Sequence, residues 1–312
     1  MSVLGFSLKS IFIKLSMESG YSASSIMGLR MLISFPLFLA ALLFVKKKED
    51  IGNGSIKTII VCACLYYISG MADISGLEYI PVSLERTLLF SIPMFTMLIS
   101  FFLERKTYSK RAILFCGLSW AGIAVSFIEG DKISSGATTV YGAGLVIISA
   151  ASYSFYMVVS ANGIKRFGPV GFNARTMLVA ALPSIAPLTA MNEPTLISHH
   201  LNGMLMPICL ALFSTVFPSF FLAWGIKRCG PSLVAGANNL GPFITMFAGY
   251  LCLGEKITPK DIVGMVIVVI SIFFLSKEIM KKKRNIEGSD IIGFGKGKWY
   301  RFGRLQKNKS IL

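Results

Sequence analysis

Four stretches of this chain, Ile113 to Ile128, Tyr141 to Ala161, Leu205 to Trp224 and Ile262 to Leu275, contain no Asp, Glu, Lys or Arg. A predominantly apolar run of roughly 17–25 residues is the length of helix that crosses a bilayer. Lipid offers backbone N–H and C=O groups no partner, so the chain must satisfy them within itself. A soluble core does not need so many uninterrupted runs. Composition agrees: of 312 residues, 54% are hydrophobic and 15% charged, against about 25% charged in a soluble domain. The expected fold class is all-α, a polytopic membrane protein.

Ten transmembrane helices can be placed. They run Ser2–Met17, Ser25–Val45, Ile56–Ile74, Val82–Leu103, Ala112–Ile128, Tyr141–Asn162, Phe172–Ala190, Met204–Gly225, Leu233–Leu253 and Ile262–Ser276. The net charge of +16 could suggest a nucleic-acid partner, but the cations sit in short connectors and in the tail after Lys277. With the amino terminus in the cytoplasm, the inner connectors hold twelve: Lys46, Lys47, Lys48, Lys57, Arg105, Lys106, Lys110, Arg111, Lys165, Arg166, Lys227 and Arg228. The outer connectors hold only Lys132, Lys256 and Lys260. That asymmetry is the positive-inside pattern of loops facing an anionic leaflet. It predicts a cell-membrane protein with both termini cytoplasmic and no nucleic-acid binding.

The six cysteines lie within or at the edges of apolar runs and form no Cys-x-x-Cys pair, so they read as small packing residues rather than a disulfide or zinc framework. The first apolar run carries Lys9 and Lys14 and lacks a cleavage site, so it reads as a helix that is kept.

The two halves repeat. At a shift of 149, Gly76 to Leu98 falls on Gly225 to Phe247 with six of 23 positions identical, among them Gly76/Gly225, Pro93/Pro242 and Thr96/Thr245. A shift of 145 pairs Arg30 with Arg175. Glu104-Arg105-Lys106-Thr107 follows span four as Glu255-Lys256-Ile257-Thr258 follows span nine. A unit of five helices is odd, so its second copy enters from the opposite face. Such inverted repeats place a binding site near the midplane. The expected units are residues 1–128, residues 141–276 and a basic cytoplasmic tail, 277–312.

These residues resemble the EamA-type members of the drug/metabolite transporter superfamily over about residues 1–280. The resemblance is carried by Gly5 to Leu15, Gly28-Leu29-Arg30-Met31-Leu32, Gly76-Leu77-Glu78-Tyr79-Ile80-Pro81, Leu84-Glu85-Arg86 leading into Pro93, and Leu253-Gly254-Glu255-Lys256-Ile257-Thr258. It implies two five-helix repeats around a central cavity lined by spans one, three, four, six, eight and nine, and export of amino acids, metabolites or drugs. Two features depart from it. Glu104 follows Pro93 by 11 residues whereas Glu255 follows Pro242 by 13, and the tail from Asn285 matches nothing in the family.

Charged side chains inside a span cost at least about 2.5–3.5 kcal/mol, so they line a cavity, find a partner or reach for an interface. Lys14, roughly 18 Å along the first helix at 1.5 Å per residue, is expected to face the cavity as a counter-charge for an anionic or zwitterionic solute. Lys9, nearer the inner surface, is expected to snorkel. Glu85 and Arg86 begin span four as an ion pair or an outer gate, and Asp73 is a partner for either. Arg30 and Arg175 are expected to hold helix ends. Asn238 and Asn239 lie about 10 Å inside span nine, placed to bridge helices or to recognise solute. Tyr67 and Tyr153 are the better cavity candidates among the aromatics. Ala237, Gly241, Thr245 and Gly249 form a small-residue stripe suited to close packing. Pro93 and Pro242 predict kinks at matching points.

The substrate-binding expectation is therefore Lys14, Tyr67, Tyr153, Asn238 and Asn239, with Asp73, Glu85 and Arg86 for gating. No catalytic residue, metal or cofactor is expected. His199 and His200 stand alone in an outer loop, and Gly293-x-Gly-x-Gly lacks the strand and helix of a nucleotide loop. No Walker motif is present, so a solute or ion gradient is the expected energy source. The expected partners are a small-molecule solute and the bilayer, with room for a homodimer. A membrane enzyme would need a His, Asp or Ser cluster at one interface, which is not visible. A non-transporting membrane subunit or sensor is the alternative reading.

Overall fold

The computed structural model describes residues 2–45, 53–105, 107–127, 136–190 and 201–238, together with 245, 247, 250–252, 259, 262–264, 266–271, 273–278 and 280. Among these residues every regular element is helical and there is no strand. In chain order they are α1 (Ser2–Glu18), α2 (Ala23–Leu43), α3 (Asn53–Tyr79), α4 (Val82–Leu89), α5 (Ile92–Glu104), α6 (Lys110–Phe127), α7 (Ala137–Ala190), α8 (Leu201–Ala211), α9 (Phe217–Cys229) and α10 (Pro231–Asn238). A π-helical turn, Leu212–Val216, joins α8 to α9. Among the described residues, five stretches are long and apolar enough to cross a membrane: Ala23–Leu43, Ile56–Tyr79, Val82–Glu104, Ala137–Leu188 and Met204–Cys229.

Breaks in these helices follow from local chemistry. At 54 residues α7 would be about 80 Å long if straight, more than twice a ~30 Å hydrocarbon layer. It is not straight. Gly168 takes φ 72 and ψ 163 inside it, a conformation closed to residues with a Cβ, and Pro169 restarts the helix where its missing N–H costs nothing. The expected fourth span is likewise divided. Phe90 and Ser91 close on Thr87 and Leu88 carbonyls with short-range bonds of 3.2 and 3.0 Å, and α5 begins with Pro93 in its first turn. So Pro93 opens a helix rather than bending one, which corrects the mid-helix kink expected there. The corresponding Pro242 lies outside the described residues.

The surface is that of a body in lipid. Phe44 is 88% exposed, Leu43 79% and Phe102 70%, and dozens of Leu, Ile, Val and Phe side chains accompany them. Such continuous apolar exposure far exceeds what a water-soluble monomer tolerates. The interior is rich in hydroxyls by contrast, and without water they bond back to their own helix. Ser34, Thr87, Thr96, Ser154 and Ser184 each donate to the carbonyl four residues before. Helices cross closely where glycine allows it. A Cβ on Gly142 would lie 2.6 Å from Tyr79 Cβ and 3.1 Å from the Gly76 carbonyl, so α7 and α3 meet backbone to backbone there.

Candidate functional site

α1, α3 and α4 converge on a knot of four charges. Lys9, at the middle of α1, places Nζ 2.5 Å from Asp73 Oδ2 on α3. One residue on, Ser10 Oγ donates to Glu85 Oε2 of α4 at 3.0 Å and accepts from Arg86 Nη2. Arg86 Nε also lies 3.1 Å from Glu85 Oε2. Asp73 and Glu85 are 1% and 0% exposed. The charges that act on both carboxylates are Lys9, Arg86 and each other's. Two cations thus face two carboxyl groups. The knot is not saturated: among the described residues, Asp73 Oδ1 and Glu85 Oε1 are buried without a donor.

The residues around the knot explain its rigidity. Pro81 precedes α4 and sets Val82 to Leu89 turning, so that adjacent Glu85 and Arg86 both reach Ser10. Glu78, near the end of α3, accepts the Ala23 backbone N–H at 3.2 Å. A carboxylate at the start of α2 also complements that helix's positive end. Hence the end of α3 is tied to α2 on one side and to α1 and α4 through the knot.

Deeper along α3 lies an aromatic group. Tyr66 meets Tyr156 edge-on at 5.7 Å between centroids, and Tyr156 meets Tyr153 at 5.8 Å. Arg30 of α2 points into it, 2% exposed, with Cζ 6.0 Å from the Tyr66 centroid and Nη2 donating to Met27 Sδ at 2.8 Å. Gly70 makes the room: a Cβ there would stand 2.9 Å from Arg30 Nη2.

The structure therefore gathers Asp73, Glu85 and Arg86 at one point and places Tyr153 in the aromatic group, while Tyr67 packs against the same core. Lys14 is partly buried on α1. The side chain of Asn238 and the whole of Asn239 lie outside the described residues. Lys9 overturns its expectation. It does not snorkel but turns inward to Asp73. The two repeat-related arginines also part company. Arg175 donates to the Gly171 carbonyl at 3.2 Å and lies over Phe167, holding a helix start as expected, whereas Arg30 holds no helix end. Ser10, Tyr156 and Met27 were not legible as site residues; nothing distinguishes Ser10 from the other serines of the chain until its neighbours in space are known.

Comparison with known proteins identifies relatives of the whole chain. The model of the EamA-like transporter family fits residues 1–128 and 140–277. The chain is 27% identical over 274 residues to the uncharacterized transporter YcbK of Bacillus subtilis, covering 83% of this chain and 85% of that protein. It is 24% identical over 270 residues to the uncharacterized transporter YoaV of the same organism, at 82% and 88% coverage. A solved crystal structure superposes with a TM-score of 0.69 at 15% identity over 90% of this chain and 95% of that one, which is a likeness of fold.

Proposed function

This chain belongs to the EamA-like transporter family, and from that premise we propose that it is a secondary transporter moving a small metabolite, amino acid or drug outward across the cell membrane by alternating access. In this reading ten helices form two inverted five-helix halves, residues 1–128 and 141–276, with both termini and the basic tail 277–312 in the cytoplasm. The solute site lies between the halves, with Lys14, Tyr67, Tyr153, Asn238 and Asn239 as its contacts.

The observation that carries the proposal is the knot of Lys9, Asp73, Glu85 and Arg86 inside an apolar body. Two buried carboxyl groups paired with two partly buried cations are a costly way to hold three helices together, since apolar side chains of the same size do it as well or better. Their use is that they can exchange partners. Moving α1 away from α3 and α4 separates Lys9 from Asp73 and Ser10 from Glu85, and the carboxylates then need other donors. Asp73 Oδ1 and Glu85 Oε1, donorless in this state, are where a proton is taken up during that exchange. The knot is thus a gate whose opening can be coupled to a proton gradient.

Purified full-length protein in liposomes, offered labelled amino acids, organic acids and hydrophobic amines in turn, tests this directly. Saturable flux of at least one class is expected, with Asp73→Asn and Glu85→Gln abolishing its response to a pH gradient. If no class shows saturable flux, the transport reading fails.

A further inference from the structure

We infer that Arg30 is the anchor for an anionic group, a carboxylate or phosphate, on the ligand this protein binds within the membrane. The inference rests on the transport reading only for calling that ligand a solute; the site itself stands on geometry.

Arg30 is among the largest fully buried side chains in the protein, and no carboxylate lies within salt-bridge distance of it among the described residues. The charge knot does not serve it: Asp73 and Glu85 are paired with Lys9 and Arg86. What it has instead is weak. Nη2 donates to the Met27 thioether, a poor acceptor, and the guanidinium sits at the far limit of a cation–π contact with Tyr66. Among the described residues, Nε is buried without an acceptor.

Nε and Nη2 are the two N–H groups along one edge of the guanidinium fork. They lie parallel and at the spacing of the two oxygens of a carboxylate or phosphate, which is why arginine binds such groups in pairs of bonds. In Arg30 this edge carries one poor acceptor and one vacancy. An unpaired guanidinium in a dry interior costs several kcal/mol, and intramembrane charges without a fixed partner mark ligand pathways. The placement is specific. Gly70 removes the Cβ that would press on Nη2, and Tyr66, Tyr153 and Tyr156 supply apolar faces for the remainder of a ligand. Tyr66 lies near the middle of the Ile56–Tyr79 stretch, hence near the depth where repeat transporters hold their solutes. Arg175, its counterpart in the second half, instead donates Nη1 to a carbonyl of its own helix and lies over Phe167, so the property belongs to Arg30 and not to the repeat.

An arginine that holds the fold and one that waits for an anion respond oppositely to removal. Full-length protein in detergent is titrated with malate, leucine and inorganic phosphate, and with leucinol and choline as probes lacking an anionic group, while its Tm is followed. At least one anionic probe is expected to raise Tm by roughly 5 °C near saturation, and the probes lacking an anion by nothing. Arg30→Met fills the same volume without charge. It is expected to leave Tm in the absence of probe unchanged or higher, and to weaken the anionic probe at least about 30-fold. Arg30→Lys keeps charge but loses the fork and is expected to weaken it about tenfold, while Arg175→Met leaves the probe's affinity as it was. The inference is overturned if no anionic probe stabilises the wild type, if Arg30→Met keeps the response, or if that variant loses several degrees without probe. Absence of flux in liposomes together with Arg30-dependent anion binding would sink the transport reading and leave this one standing.

Discussion

Lys9 and Asp73, 64 residues apart in the chain, bring α1 and α3 together through a contact of 2.5 Å. Asp73 is almost wholly buried and Lys9 retains 16% of its side-chain exposure, so the pair is shielded from solvent on one side only. Removing one partner of a buried pair costs about 3–5 kcal/mol because the other charge is stranded. Partial access for Lys9 reduces that to about 2–3 kcal/mol for Asp73→Asn. Lys9→Met combined with Asp73→Leu removes both charges and is expected to recover most of the lost stability, yet not transport. Thermal unfolding of the wild type, Lys9→Met, Asp73→Leu and the double variant, read as a double-mutant cycle, checks the first statement and liposome flux the second. A double variant that transports normally would show that the pair is only a rivet.

Ser10 is the smallest member of the knot and the one through which its two sides communicate. Its hydroxyl donates to Glu85 and accepts from Arg86 at once. Ser10→Ala keeps the helix and nearly the volume but leaves both charged groups short of a bond, at a cost of about 1–3 kcal/mol. Flux is expected to fall with it. Should Ser10→Ala change neither Tm nor flux, the charges are held independently and the gate has no hinge at this point.

What could be read from residues alone divides along physical lines. Periodicity and charge-free length announce helices in lipid because those are one-dimensional properties, and the Gly168-Pro169 pair announces the break in α7 by the same token. Depth is legible too, since it is a count of residues. Azimuth is not. Counting along α1 puts Lys9 near a surface, but which way it points is decided by α3 and α4 packing beside it, and that places it in the knot. The same limit hides Arg30. Repeat symmetry pairs it with Arg175 and so suggests a shared role, whereas its surroundings come from Met27, Tyr66 and Gly70, which the second half does not reproduce around Arg175. Asp73, Glu85 and Arg86 stand out in the sequence because charge is rare in such spans; Ser10 does not, because serine is common there.

Two glycines on α7 are expected to respond with opposite signs. Alanine is favoured over glycine in a helix by about 1 kcal/mol, so Gly144→Ala, whose Cβ meets nothing within 4 Å, should stabilise by up to that amount. Gly142→Ala gains the same propensity but drives its Cβ to 2.6 Å from Tyr79 Cβ and 3.0 Å from Ile80 Cγ2. Overpacking of this kind costs about 1–3 kcal/mol, leaving a net loss. Thermal unfolding of the two single variants suffices, and equal shifts would mean that α3 and α7 do not meet at the observed distance.

The proposed inversion of the two halves makes a prediction that needs neither a solute nor an assay of transport. Cys229 ends α9, is exposed and free, and follows Lys227 and Arg228, which the positive-inside rule assigns to the cytoplasm. Lys110, exposed at the start of α6, is assigned to the same face, while Lys260, 150 residues further on and so nearly one repeat away, falls on the outer face. With the other cysteines replaced by serine or alanine, a membrane-impermeant maleimide should label Cys229, and likewise a single cysteine introduced as Lys110→Cys, only in inside-out vesicles. The single cysteine of Lys260→Cys should be labelled only in intact cells. Two copies inserted in the same sense would expose Lys110→Cys and Lys260→Cys on one face, because equivalent points of parallel repeats share a side of the membrane. That outcome would remove the symmetry on which a midplane site between the halves depends, whatever the protein is later found to carry.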